Sequence, residues 1–327
     1  MYSVDELQRK VNDEIQYRIN ELTNKEPAEL YAPVKYSLGM GGKRLRPVLL
    51  LLSYNLFSED ILNAMPAAVA IEVFHNFTLL HDDIMDNAMV RRNSPTVHIK
   101  FNENNAVLSG DVMAFLSYQY LMECKSGRIL EVADLFTKTA VEVCEGQQYD
   151  LDFENRLDVS ADEYLNMIRL KTAVLLACGL KAGAFLANTE DNLAEQLYDF
   201  GLNLGLAFQL QDDLLDTFGE QESFGKEIGG DIVANKKTYL LIKAFENASN
   251  EQLNELNYWI KQNDTEKEDK IRAVKRIYNQ LGIREIAESK KEDYFKNSEN
   301  ILKNLPVEDD KKKQLQMISL QMLKRNH

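Results

Sequence analysis

The chain has 327 residues, a formal net charge of −14 and a hydrophobic content of 45%, which suits a globular protein with a sizeable core. So acidic a surface argues against non-specific nucleic-acid binding, which needs basic charge, but a local cluster of Lys and Arg could still hold an anion. With only 15 Gly and 6 Pro, chain punctuation is rare, and long helices are favoured over many short strands.

Residues 3–24 place Val4, Leu7, Val11, Ile15, Ile19 and Leu22 at helical spacing. Pro27 and Pro33 bracket a short element, and a Gly-rich basic stretch, SLGMGGKRLRP, runs from Ser37 to Pro47. Pro47 is expected to start the next helix, to about residue 57. A long, mostly apolar helix over 67–86 ends in acid, and 87–96 reads as a loop. Helices follow over 106–124, 129–150 and 161–187, where Gly179 and Gly183, four apart, allow a close helix contact. A second apolar helix over 193–216 also ends in acid, and a Gly- and Lys-rich loop covers 217–237. The polar tail from about 246 is helical in pattern. No linker, low-complexity block or tandem repeat interrupts the chain. The expectation is one all-α domain spanning 1–327, a bundle of long, mostly antiparallel helices around an apolar cleft.

Cys124, Cys144 and Cys178 are an odd number without paired spacing, which argues against a disulfide framework and fits a reducing cytosol. The polar, amphipathic N-terminus does not read as a signal peptide. Apolar runs such as Val48–Leu52 fall far short of the roughly 20 residues that span a bilayer. A soluble, cytoplasmic protein is expected.

The two apolar helices end in the same signature. HDDIMD carries Asp82, Asp83 and Asp86; QDDLLD carries Asp212, Asp213 and Asp216. On a helix, residues i and i+4 share a face, so Asp82 pairs with Asp86 and Asp212 with Asp216, and like charges at that spacing repel unless a cation lies between them. Carboxylate oxygens suit Mg²⁺, which takes one or two protein carboxylates and completes its shell with water and phosphate. One such cluster in an acidic chain is weak evidence, since solvated helix ends are the bland alternative. Two, each below an apolar helix (Val69, Val73, Phe74, Phe77 and Leu80; Leu202, Leu206 and Leu210), suit a substrate with a diphosphate head and a hydrocarbon tail. Most of those apolar residues are simply core.

Basic residues supply the anion partners. Lys43, Arg44 and Arg46 lie beside Gly41 and Gly42; Arg91 and Arg92 follow the first cluster; Lys226, Lys236 and Lys237 follow the second. Arg binds phosphate as a planar fork and Lys as a point charge. Any one of these is most simply a surface charge. Lys171 stands out, mid-helix among apolar neighbours in RLKTAVLL.

GGKRLRP, HDDIMD followed by RR-x-x-PT, GQQYDLDFE, LKT, FQLQDDLLD and GKEIGGD-x-x-x-NKKT occur in one order over residues 39–241, and this order resembles the trans-isoprenyl diphosphate synthases. The resemblance implies a Mg²⁺-dependent prenyltransferase of the isoprenoid synthase fold, typically a homodimer, acting on isopentenyl and allylic diphosphates. It implies that Asp82 and Asp86 bind two Mg²⁺ ions on the allylic diphosphate, and Asp212 a third, with Asp83 and Asp216 in support and Asp213 a weaker member. Lys43, Arg46, His75 and Arg92 resemble an isopentenyl diphosphate site. Arg91, Lys171, Thr172, Gln209, Lys226 and Lys236 resemble an allylic diphosphate site, with Lys171, Thr172, Gln209 and Lys226 nearest the chemistry. A lone helical His such as His75 is more often a packed core residue, and His81 and His98 have no assigned part. Asn93 replaces the family's usual Gly after the Arg pair, and Asn tolerates positive φ.

Phe77 and Phe74 lie five and eight residues before Asp82, roughly 7–8 Å and 12 Å down the helix. Bulk there marks short-chain synthases in the family. Farnesyl diphosphate (C15) is therefore the expected product, with geranylgeranyl (C20) the alternative. Two other classes stay in view, a class I terpene cyclase and a non-catalytic helical subunit of a synthase. Lys324 and Arg325 are either a basic tail closing over diphosphate or a frayed charged end.

Overall fold

The computed structural model describes residues 1–219, 229–262 and 267–323. Its helices are α1 (Val4–Glu21), α2 (Ala28–Gly39), α3 (Leu45–Asn55), α4 (Met65–Met85), α5 (Val97–Phe101), α6 (Glu103–Leu121), α7 (Ile129–Glu154), α8 (Ala161–Ile168), α9 (Val174–Leu186), α10 (Asp191–Phe218), α11 (Gly230–Val233), α12 (Tyr239–Asn247), α13 (Asn250–Lys261), α14 (Lys267–Gln280), α15 (Ile283–Asn304) and α16 (Asp309–Leu323). Local signals start several of them. Ser3 with Glu6 and Ser160 with Glu163 form reciprocal capping boxes before α1 and α8, and Thr238 caps α12.

Four details depart from the periodicity. Pro33 lies inside α2 rather than at its edge, where its missing N–H leaves one i→i−4 bond unmade. The segment expected to be a loop over 87–96 contains an antiparallel hairpin, Val90–Arg91 with Ser94–Pro95. The 161–187 helix is interrupted by a π-turn at Arg169–Ala173. The loop expected over 217–237 contains the short helix α11.

Two compact units form. The first comprises Met1–Thr139, Leu175–Tyr198 and Asn304–Ile318; the second comprises Ala140–Val174, Asp199–Lys303 and Ser319–His327. In the first, α3 is buried on all sides from Pro47 to Asn55, and α4 packs against α3 and α6. A Cβ on Gly183 would sit 2.3 Å from the Leu50 carbonyl oxygen, so the Gly179/Gly183 step lets α9 seat directly on α3; there Ser53 Oγ donates to Leu180 O at 2.5 Å. In the second unit, Phe153, Tyr164, Met167, Leu206, Leu210, Tyr239, Ile277 and Tyr278 belong to one apolar core. Fully burying such side chains stabilises by about 1.5–3 kcal/mol each. Cys124, Cys144 and Cys178 are not joined in disulfides. Among the described residues no helix is long and apolar enough to cross a membrane.

Candidate active site

In the first unit, the acidic end of α4 is sorted by burial. Asp83 points inward and is 3% exposed. Both its carboxylate oxygens accept from Arg91 Nε at 2.8 Å, and Arg91 Nη2 lies 2.7 Å from Oδ1. Burial pushes the Asp83 carboxyl upward, and Arg91 opposes that shift. Asp82 is half-buried and Asp86 is exposed at the helix C-cap. Arg91 Nη2 is also 3.6 Å from Asp82 Oδ2. The middle carboxylate is thus committed to a guanidinium, while the i, i+4 pair stays on the accessible side.

Arg91 is aimed by the hairpin. Its two-residue turn is Arg92–Asn93, with φ of 51° and 59°, the left-handed pair that characterises a type I′ turn. Asn93 therefore supports the conformation that Gly would give. Arg92 reaches back to donate to the Gly41 carbonyl, and a Cβ on Gly42 would lie 2.9 Å from Arg92 Cζ. Lys43 is exposed beside this loop. Arg46 Nη1 lies 3.0 Å from His75 Nε2. Burial first, and then Arg46, Arg92, Arg91 and Arg44, hold the His75 imidazole well below its ordinary pKa. It is neutral, and its Nε2 accepts from Arg46. The structure thus gathers His75 with Arg46.

Below the acids runs an aromatic wall. Ring centroids step from His81 to Phe77 (4.9 Å), Phe74 (5.4 Å), Phe136 (5.2 Å) and Tyr118 (5.1 Å), each pair edge to face. Phe74 is fully buried and Phe77 half-buried. His81, without a role in the sequence reading, caps this wall, with Nε2 3.2 Å from Val107 O.

In the second unit, a polar cavity of about 160 Å³ is lined by Asp150, Tyr164, Lys171, Thr172, Gln209, Asp212, Asp213, Asp216, Asp231, Lys236 and Lys237, among others. The π-turn supplies Lys171 and Thr172; such bulges recur at functional sites. Lys171 Nζ pairs with Asp150 Oδ2 at 2.7 Å. Thr172 Oγ1 donates to Gln209 Oε1 at 3.2 Å, and Gln209 Nε2 donates to Asp213 Oδ1 at 3.2 Å. The Tyr164 hydroxyl donates to Asp213 Oδ2. Burial, then the nearby Asp231, raises the Asp213 carboxyl well above the usual range. Asp216 Oδ2 accepts from the Asp231 backbone N–H at 3.0 Å. Asp212 is half-buried on the cavity wall. The second cluster is therefore as unequal in burial as the first, with Asp213 and Asp216 buried and Asp212 half-buried.

Gly146 makes the π-turn fit. A Cβ there would lie 2.3 Å from Lys171 N and 2.8 Å from Lys171 Cα. Asp150, one turn further along α7, is thereby brought under Lys171. Asp150 stands in the GQQYDLDFE block without a part of its own, and Tyr164 breaks no periodicity in its helix, so the sequence reading singles out neither. Lys226, Lys324 and Arg325 lie outside the described residues.

The sequence profile of the polyprenyl synthetase family matches residues 27–279. The chain belongs to that family. It is 41% identical over 249 residues to the geranylgeranyl diphosphate synthase of Methanosarcina mazei, covering 75% of this chain and 76% of that protein. It is 35% identical over 329 residues to the short chain isoprenyl diphosphate synthase of Methanothermobacter thermautotrophicus, covering all of both. Its fold matches a crystal structure of a geranylgeranyl pyrophosphate synthase with a TM-score of 0.93 and 44% identity over 99% of each chain. A polyprenyl synthase from Caulobacter crescentus, solved with calcium and isoprenyl diphosphate, matches with a TM-score of 0.87 and 28% identity over 99% of this chain and 98% of that one. This member of the family is a prenyltransferase with the all-α isoprenoid synthase fold, and its curated relatives group it with the short-chain prenyl diphosphate synthases.

Proposed function

We propose that this synthase condenses isopentenyl diphosphate head to tail with allylic diphosphates and ends mainly at geranylgeranyl diphosphate. The observation that carries the catalytic reading is the polar cavity holding Lys171, Thr172, Gln209 and Asp212. The aromatic pair Phe77 and Phe74 taken alone puts farnesyl first. The geranylgeranyl synthases among the relatives, from Methanosarcina mazei at 41% and Saccharolobus solfataricus at 40% identity, make C20 the first reading and C15 the second.

The donor set fits Mg²⁺. Asp82, Asp86 and Asp212 are hard oxygen donors, half-buried at Asp82 and Asp212 and exposed at Asp86, while Asp83, Asp213 and Asp216 are buried and bonded to Arg91, to Tyr164 with Gln209, and to a backbone N–H. Among the described residues no three acidic, His or Cys groups close into a ready cage; Mg²⁺ commonly needs only one or two carboxylates with substrate phosphate. Three ions are expected with diphosphate bound, two on Asp82 and Asp86 and one on Asp212. Bound Mg²⁺ neutralises charge building on the leaving diphosphate.

The chain's own residues do the rest. Arg91, Lys171, Lys226 and Lys236 bind the allylic diphosphate and stabilise the charge developing on it. Thr172 and Gln209 present oxygens toward the allylic cation as its C–O bond breaks. Lys43, Arg46, His75 and Arg92 hold the isopentenyl diphosphate, whose double bond attacks that cation. That attack leaves a cation on the isopentenyl unit, and the released diphosphate takes the proton that departs from the adjacent carbon to restore a double bond. Apolar walls exclude the water that would quench the cation.

The working form is proposed to be a cytoplasmic homodimer. Along α6 and its C-cap, Leu108, Phe115 and Met122 are 56%, 73% and 54% exposed at seven-residue steps, an apolar stripe suited to a second copy of the chain. The deciding experiment supplies purified protein with Mg²⁺, isopentenyl diphosphate and geranyl diphosphate and measures product length. Absence of turnover would sink the enzymatic reading and favour a non-catalytic subunit; a C15 end product would restore farnesyl.

A further inference from the structure

We infer that Arg44, gripped by Glu72 and by one face of α1, is the positioning residue that aims Lys43 and Arg46 at the isopentenyl diphosphate headgroup; the inference rests on the isopentenyl role proposed above. Three basic residues in four positions read as one outward-facing cluster, and Arg44 breaks that pattern. It is 4% exposed. Its Nη1 lies 2.6 Å from Glu72 Oε1, its Nη2 donates to Leu38 O at 3.0 Å, and its Nε donates to Asn12 Oδ1 at 3.0 Å. Every nitrogen of the fork has an acceptor. Glu72 is itself 2% exposed and takes a further bond from Asn76 Nδ2 at 3.1 Å.

A buried ion pair adds little net stability over an apolar packing of the same shape, so its use is better sought in geometry. The backbone shows where that geometry is needed. Gly41, Gly42 and Arg44 have φ of 75°, 135° and 49°. A side-chain-bearing residue holds such a left-handed conformation only where its surroundings over-determine it. Arg44 is also the residue from which α3 starts, its carbonyl accepting from Val48 N at 3.1 Å. Fixing Arg44 therefore fixes the first turn of α3, and with it the path of Arg46 toward His75.

Lys43 is fixed from the same side. Gln8 Nε2 donates to the Lys43 carbonyl at 3.0 Å. Gln8 and Asn12 are four apart, so one face of α1 grips two consecutive residues of the loop. Arg92 holds the third point, the Gly41 carbonyl. Lysine in place of Arg44 keeps the charge but cannot reproduce a planar fork with three acceptors.

The test uses the full chain with Mg²⁺, isopentenyl diphosphate and geranyl diphosphate. Arg44→Lys should raise KM for isopentenyl diphosphate about tenfold, the factor carried by roughly one charge-assisted hydrogen bond, and leave KM for geranyl diphosphate within about twofold of wild type. Asn12→Ala, on an exposed position, should move the isopentenyl KM in the same direction by about threefold without unfolding the chain. Folded Arg44→Lys protein with both constants unchanged, or with both rising together, overturns the inference. Where Arg44→Lys does not fold, Asn12→Ala decides, and an unchanged isopentenyl KM overturns it. Lys43→Ala separates this inference from the reading beneath it. A raised isopentenyl KM there with an unchanged one in Arg44→Lys removes the positioning role alone; an unchanged value in Lys43→Ala removes the isopentenyl assignment and this inference with it.

Discussion

Gly146→Ala adds one methyl group where the backbone of α7 meets the π-turn. That carbon would stand 2.3 Å from Lys171 N, 2.8 Å from Leu170 C and 2.8 Å from Lys171 Cα. Ordinary carbon contacts lie near 3.5–4.0 Å, so the two backbones must part by about 1 Å. Backbone atoms cannot swing aside as a flexible side chain does. Overpacking of this kind costs about 1–3 kcal/mol of stability. The functional cost should be larger than that loss suggests. The displaced segment carries Lys171, paired with Asp150 at 2.7 Å, and Thr172, bonded to Gln209 at 3.2 Å. A misplacement of about 1 Å at reacting groups lowers rates roughly 100-fold. Steady-state turnover with geranyl and isopentenyl diphosphates, beside a thermal unfolding curve, measures both effects. Gly127→Ala is the control, because no atom lies within 4 Å of a Cβ at that position. A Gly146→Ala enzyme that turns over like wild type would refute the view that this contact positions the π-turn.

Phe77→Ala should lengthen the product by at least one isoprene unit if the wall limits the tail; Phe74→Ala should do the same, while costing about 3–5 kcal/mol as a buried ring is lost. Radiolabelled products resolved by chain length check both, and unchanged length in both removes the wall from the argument. Tyr164→Phe deprives the buried Asp213 of a donor. It should destabilise by about 1–3 kcal/mol and reduce kcat, because Asp213, the anchor of Gln209, loses its Tyr164 partner and holds Gln209 less firmly toward Thr172; an unchanged kcat would show that the chain of bonds is structural only. His75 supplies a pH signature. Its folded pKa lies well below its unfolded one, so below about pH 6.5 the unfolded chain binds the extra proton and stability falls, by up to ~1.4 kcal/mol per pH unit until the folded imidazole also titrates. His75→Gln should flatten that part of the wild-type stability curve, as chemical denaturation at pH 5, 6 and 7 would report.

The sequence by itself determined the helical class, the start of α1 at Ser3 and of α8 at Ser160, and the pairing of Asp82 with Asp86. Each follows from interactions spanning three or four residues, which periodicity and capping chemistry record directly. Asn93 was readable for the same reason, since a positive φ is a local demand. Other features depended on residues far apart in the chain. Arg44 turns inward because Glu72, Leu38 and Asn12 meet it there, and no local pattern separates it from Lys43. The π-turn exists where Gly146 leaves room for it, and Asp150 finds Lys171 across 21 residues of sequence. Only the tertiary structure decided which carboxylates of each Asp cluster are buried. Burial and a partner are what commit Asp83 to Arg91 and Asp213 to Tyr164, and both are properties of the packed chain.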